Sequence, residues 1–133
     1  MNALVDTNIF LDYLFDQANA DQAENFFSDA ISCRHTIYLC EPVLFELKIK
    51  GLSKEAESDI FGILKNKNKI RFIEESIEDS KKAEELAKQL NIPMNDALIA
   101  LLAKRNGLIV ITRDKHFLEN LNTITDAFRP EEI

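Results

Sequence analysis

The chain has 133 residues, 46% of them hydrophobic and 29% charged, with a formal net charge of -7. That length gives one domain with a real core, and the acidic balance excludes a protein that coats nucleic acid through a broad basic surface, a mode that works by displacing counterions. It leaves open an enzyme that meets phosphates through bound cations.

Short β-branched runs alternate with longer helical stretches, the pattern of βα units feeding a largely parallel sheet. Residues 3–5 read as the first strand, followed by a helix pair over 8–15 and 20–32. The second helix carries Ala23, Phe26, Phe27, Ala30 and Ile31 at helical spacing. Residues 36–39 form the next strand, and Pro42 suits the first turn of a helix that runs through 45–49 and stops near Gly51. Ser53 caps a helix reaching about residue 65, after which the basic run 65–71 reads as a solvated turn into a strand over 70–73. Ser76 with Asp79 resembles a capping box for a helix ending near Leu90. Pro93 precedes a segment, 96–103, whose apolar residues surround the helix, so it is expected to be buried on most sides and closed by Gly107. A fourth strand over 108–112, a weaker fifth over 123–125 and a short surface tail over 128–133 complete the chain. Neither repeat nor linker divides it, so residues 1–133 are expected to form a single domain.

Cys33 and Cys40 have neither Cys-x-x-Cys nor zinc spacing and read as reduced small hydrophobes. The first apolar stretch meets the charged Asp6 within a few residues, and no later run approaches the ~18 to 20 residues of a membrane span. A cytoplasmic protein is the expectation.

Four acids adjoin apolar runs: Asp6 after Ala3-Leu4-Val5, Glu46 within Phe45-Glu46-Leu47, Asp96 before Ala97-Leu98-Ile99-Ala100, and Asp114 after Ile109-Val110-Ile111-Thr112. Acids in such places are costly to desolvate unless their charge is offset. Each also has a local explanation: Asp6 and Asp114 as caps or turn starters, Glu46 as a border residue facing solvent or Lys50, and Asp96 as a first-turn acid of a helix capped by Asn95. Taken together, and without a matching His/Cys set, they form an oxygen-rich group suited to Mg²⁺ or Mn²⁺. If the strands before Asp6 and Asp114 are neighbours, both acids lie at the carboxyl ends where open parallel sheets bind ligands. One or two metals in such a site suit phosphodiester hydrolysis.

Val5-Asp6-Thr7-Asn8, Glu46, Asn95-Asp96-Ala97-Leu98-Ile99-Ala100 and Thr112-Arg113-Asp114-Lys115-His116-Phe117 resemble, in order and spacing, the PIN-domain nucleases, especially the VapC-like toxins of toxin-antitoxin pairs. The resemblance implies an α/β/α sandwich with a central parallel sheet ordered 3-2-1-4-5. It also implies an endoribonuclease using Mg²⁺ or Mn²⁺ held by Asp6, Glu46, Asp96 and Asp114. Thr7, Asn8 and Thr112 match its polar support positions. A homodimer and a small inhibitory antitoxin are implied in the same way. The chain departs from the family at Leu39-Cys40-Glu41-Pro42, where a small hydroxyl residue is common, and Glu41 competes with Glu46 for the second acidic position.

Arg113 and Lys115 flank Asp114 as candidates for phosphate contact. His116 reads either as a proton shuttle or as a helix-start histidine. Ile9, Phe10, Leu11, Tyr13, Leu14, Phe15, Phe26 and Phe27 divide between core and a dimer surface. Gly51, Gly62 and Gly107 are too scattered for a nucleotide loop. Two other functions compete with the nuclease: a haloacid-dehalogenase-like phosphatase, which needs a second Asp where Asn8 stands, and a non-catalytic module whose acidic groove binds a basic protein segment.

Overall fold

The computed structural model describes residues 1–15, 18–32, 35–66 and 68–133, and of Ile60 and Ile63 only the backbone. Five parallel strands, β1 (Asn2–Val5), β2 (Thr36–Cys40), β3 (Ile70–Ile73), β4 (Ile109–Ile111) and β5 (Ala127–Phe128), form one sheet in the order β3-β2-β1-β4-β5. The strand order expected from the family resemblance is therefore the one found.

The central strands are buried because helices cover both faces. Ala3, Leu4 and Val5 of β1 and Val110 and Ile111 of β4 are fully inaccessible. Helices α1 (Thr7–Leu14), α2 (Ala20–Ile31), α3 (Glu41–Ile49) and α4 (Lys54–Asn66) make the first two crossovers. The chain then returns past β1 through α5 (Ile77–Leu90) and α6 (Met94–Arg105). Right-handed crossovers in opposite directions put these two sets on opposite faces, giving the sandwich. Consistently, α1 packs on α2 and α3, while α5 packs on α6. Phe10, Phe27 and Phe61 interlock three of the first-layer helices, with ring centroids 5.2 Å and 5.7 Å from Phe10.

Local signals act as the residue types require. Ser53 Oγ accepts the Ala56 N–H, and Ser76 with Asp79 closes a reciprocal capping box at α5. Gly107, at φ +67°, follows α6 in the left-handed region. Within α6, Ala97, Leu98, Ile99, Ala100, Leu102 and Ala103 are all buried, as a helix with apolar residues on most sides demands.

Three expectations need correction. The last strand is Ala127–Phe128, while residues 123–125 lie before it in a turn region. There the Thr125 hydroxyl donates to the Leu108 carbonyl, so this β-branched residue serves a turn. The tail is not a simple surface extension: after β5 it forms a 3₁₀ turn, Pro130–Glu132, with Pro130 buried and Glu131 bound to Arg113. Asn95 does not cap α6, which begins one residue earlier, at Met94. Of the two cysteines, Cys40 is a buried free thiol that burial pushes up to about 12, and Cys33 lies outside the described residues, as does Lys67 of the basic run. Among the described residues, no helix is long and apolar enough to cross a membrane.

Candidate active site at the strand reversal

The direction of strand addition reverses between β1 and β4, which pair through Ala3–Ile109, Leu4–Val110 and Val5–Ile111. In open parallel sheets the chains leaving such a strand pair diverge to opposite sides of the sheet, and the crevice between them is where ligands bind. Asp6 follows β1 directly, its N–H still bonded to the Ile111 carbonyl at 2.9 Å.

Asp6 is a helix cap and a member of the acidic group at once. Its Oδ1 accepts the Thr7 N–H at 2.7 Å at the start of α1, and its Oδ2 accepts the Thr112 hydroxyl at 2.7 Å and the Asn8 amide at 3.2 Å. Asp114 is a cap as well: its Oδ1 accepts the His116 N–H at 2.9 Å at the start of α7 (Lys115–Asn120). The cap and ligand readings of these acids are therefore compatible.

Asn8 and Thr112 knit the two strand ends together. Thr112 Oγ1 also accepts the Asp114 N–H at 3.0 Å and the Asn8 amide at 3.3 Å, while Asn8 Oδ1 accepts the Arg113 N–H at 3.1 Å. Every polar atom of the Asn8 side chain is thus used. Thr7 contributes its backbone N–H, and its hydroxyl is buried with no hydrogen-bond partner among the described residues.

Electrostatics ties the four acids together. Burial raises the Asp6 carboxyl to about 6 against the lowering effect of the Thr112 and Thr7 hydrogen bonds, and the charges of Glu46 and Asp114 add to the rise. Burial also raises Asp96, to about 7, reinforced by Asp6, Asp114 and Glu46 and by its contact with the Asp114 side chain. Among the described residues, none of the four makes a salt bridge. They form a group of acids that no ion pair among the described residues offsets.

Glu46 is half-buried, and its Oε1 accepts the Asn95 amide at 3.0 Å, joining α3 to the first turn of α6. The sequence presents Asn95 only as a helix cap; a contact across 49 positions leaves no local signal. Glu41 is exposed at the start of α3 and lines a separate groove of about 440 Å³ with Leu44, Phe72, Ile73, Glu74 and Glu75. Of the two glutamates, Glu46 is the one whose charge is among the main causes of the raised values of Asp6 and Asp96.

The phosphate contact expected of Arg113 does not fit its surroundings. Its side chain is only 16% exposed and is taken up by Asp12 and Glu131. Lys115 is exposed and only loosely paired with Glu119, at 3.9 Å, so it remains accessible. His116 is an exposed helix-start residue whose backbone N–H serves Asp114. Ile9, Phe10, Phe26 and Phe27 belong to the core, whereas Tyr13 and Phe15 are exposed.

Comparison with known proteins is consistent with this layout. A family profile described as the PIN domain matches residues 3–120, a span containing all four acids and the polar supports Thr7, Asn8 and Thr112. The chain belongs to the PIN-domain family. PIN domains are nucleases, and hydrolysis of nucleic acid is the general activity that membership carries. Among solved structures, the PIN chain is similar to VapBC2 from Rickettsia felis bound to a DNA fragment from its promoter, at TM-score 0.69 and 21% identity over 97% of this chain and 98% of that one. It is similar to a toxin-antitoxin complex from Klebsiella pneumoniae at TM-score 0.66 and 22% identity, over 98% and 99% of the two chains. FitAcB from Neisseria gonorrhoeae gives TM-score 0.64 and 21% identity over the same shares. At these identities the likeness is one of fold. No curated protein sequence gives a significant match. A haloacid-dehalogenase-like phosphatase is set aside, since position 8 carries an Asn whose amide is spent on Asp6 and Thr112.

Proposed function

We propose that this PIN domain, spanning residues 1–133, is a divalent-metal-dependent endoribonuclease and the toxin of a toxin-antitoxin pair. The observation that carries the reading is the carboxylate group at the β1/β4 reversal of a PIN fold. Burial and mutual repulsion hold Asp6 near 6 and Asp96 near 7, and no cation among the described residues offsets them.

The donor set fits Mg²⁺ or Mn²⁺: all four groups are carboxylates, hard oxygen donors without nitrogen or sulfur among them. Asp6, Glu46, Asp96 and Asp114 would hold one or two ions. When bound, such an ion supplies water activation and charge stabilisation at a phosphodiester. The protein's own work is positioning and proton control. Thr112 and Asn8 fix the rotamer of Asp6, and Asn95 orients Glu46. With a value near 7, Asp96 is only part-ionised in the cation-free site at neutral pH, and holding a cation would favour loss of its proton. Lys115 is available to the substrate phosphate.

A homodimer, a small antitoxin partner and a cytoplasmic location complete the proposal. Its support is the likeness in fold to the VapBC and toxin-antitoxin complexes, over nearly the whole of each chain.

One observation favours a second reading. Among the described residues, no group of three or more His, Cys, Asp or Glu side chains is arranged to hold a metal ion as it stands. A binding-only module using the acidic crevice for a basic protein segment would have no need of such a cage. Calorimetric titration of the purified chain with Mn²⁺ separates the two. The nuclease reading expects saturable binding that Asp96→Asn weakens at least tenfold; no binding by the wild-type chain favours the module.

A further inference from the structure

One buried charge cluster is unused by the proposed chemistry. Arg113 stands between Thr112 and Asp114, and its Nε lies 3.3 Å from Asp12 Oδ2 on α1. Its two terminal nitrogens donate to Glu131, Nη1 to Oε1 at 2.8 Å and Nη2 to Oε2 at 2.5 Å. The Arg113 and Asp12 side chains are 16% and 8% exposed, and that of Glu131 is 40% exposed. One guanidinium thus ties together the first helix, the exit of β4 and the 3₁₀ turn after β5.

Stability alone is a poor explanation for such a cluster, because desolvation of buried ion pairs offsets most of their attraction. Burial raises the Asp12 carboxyl despite the adjacent guanidinium. What a planar fork held by two hydrogen bonds to Glu131, with the Asp12 charge 3.3 Å from its Nε, does provide is fixed geometry. The main chain of Arg113 is held from the other side as well, its N–H donating to Asn8 Oδ1 at 3.1 Å, and the next N–H, that of Asp114, donates to Thr112 Oγ1 at 3.0 Å. The short link carrying Asp114 into the crevice is therefore pinned by side chain and backbone together.

We infer that Asp12 and Glu131 are positioning residues that act through Arg113 to fix the Thr112–Asp114 main chain and so the Asp114 carboxylate. The inference rests on the proposed nuclease reading for the use made of Asp114, while the positioning can be measured without it. It also gives Arg113 a place that a phosphate contact would not.

The test is amide hydrogen exchange on the full chain without added metal, comparing wild type with Glu131→Ala and Asp12→Asn. Exchange at the Arg113 and Asp114 amides should quicken at least tenfold in each variant, with the buried amides of α6 keeping wild-type rates. Glu131→Gln, which keeps one acceptor for the fork, should lie between. Mn²⁺ alone should bind several-fold more weakly to Glu131→Ala, and kcat for RNA should fall with KM unchanged. Unchanged exchange at both amides would overturn the inference, as would acceleration spread evenly over the chain, the mark of a merely structural contact. If Asp12→Asn does not fold, Glu131→Ala at its more exposed position decides. A wild-type chain that neither binds Mn²⁺ nor cuts RNA counts against the nuclease reading, and the exchange rates still decide the positioning.

Discussion

The Thr112 hydroxyl donates to Asp6 Oδ2 at 2.7 Å, joining residues 106 positions apart across the exits of β1 and β4. Both groups are buried, and the bond stabilises the ionised form of a carboxylate that burial pushes the other way. Thr112→Val keeps the shape and removes the donor. Leaving a buried polar group short of a partner costs roughly 1–3 kcal/mol. The loss should be largest above about pH 6, where Asp6 is ionised in the wild-type fold. Urea unfolding at pH 5 and pH 8 measures the difference.

Asp96→Asn should stabilise the metal-free protein at neutral pH while abolishing cleavage. The substitution replaces a carboxyl that the fold holds near 7 against its ordinary 3.8, so folding at neutral pH no longer has to take up a proton or bury a charge there. Relief of about 1–2 kcal/mol is a reasonable scale for a partly buried site, where each pKa unit corresponds to at most about 1.4 kcal/mol. A higher melting temperature in EDTA, together with lost nuclease activity, is the expected pair of results.

The pH dependence has a defined sign. Asp6 and Asp96 have folded values near 6 and 7, above their ordinary 3.8. Between these limits the folded chain holds more protons than the unfolded one. Their contribution to stability is therefore complete below about pH 4 and is lost as pH rises through about 6 to 7. Metal binding runs oppositely, because cations compete with those protons. Melting curves should show metal-free stability falling from pH 4.5 to 7.5, and the stabilisation given by Mn²⁺ growing over the same interval.

Glu46→Gln should lower Mn²⁺ affinity and cleavage at least tenfold, and Glu41→Gln should change neither by more than about twofold. Asn95→Ala should fall between, with little effect on stability, since its bond to Glu46 is exposed. Equal effects of the two glutamate substitutions would move the second acidic position toward the groove lined by Glu41, Glu74 and Glu75.

Much of this layout is legible in the amino-acid sequence. The apolar run before Asp6, the capping residues Ser53 and Ser76, and the all-round apolar 96–103 segment report local physics, and each appears where the sequence puts it. Glu46, Asp6 and Asp114 are readable as acids beside strands and helices, but sequence alone does not separate cap from ligand, because the caps use only part of each aspartate. What stays hidden depends on contacts between distant segments. The Asn95–Glu46 bond and the capture of Arg113 by Asp12 and Glu131 follow from how helices and the last turn pack. Thr123 and Thr125 mislead through β propensity, which a two-residue edge strand and its preceding turn easily override.

Cleavage of a structured RNA by the purified chain tests the central claim most directly, run side by side with Mn²⁺, with excess EDTA, and with Asp96→Asn in Mn²⁺. The expected result is cutting in the first reaction alone, at internal phosphodiesters. Cutting that persists in both EDTA and the Asp96→Asn reaction would contradict a metal-dependent site built on these four carboxylates.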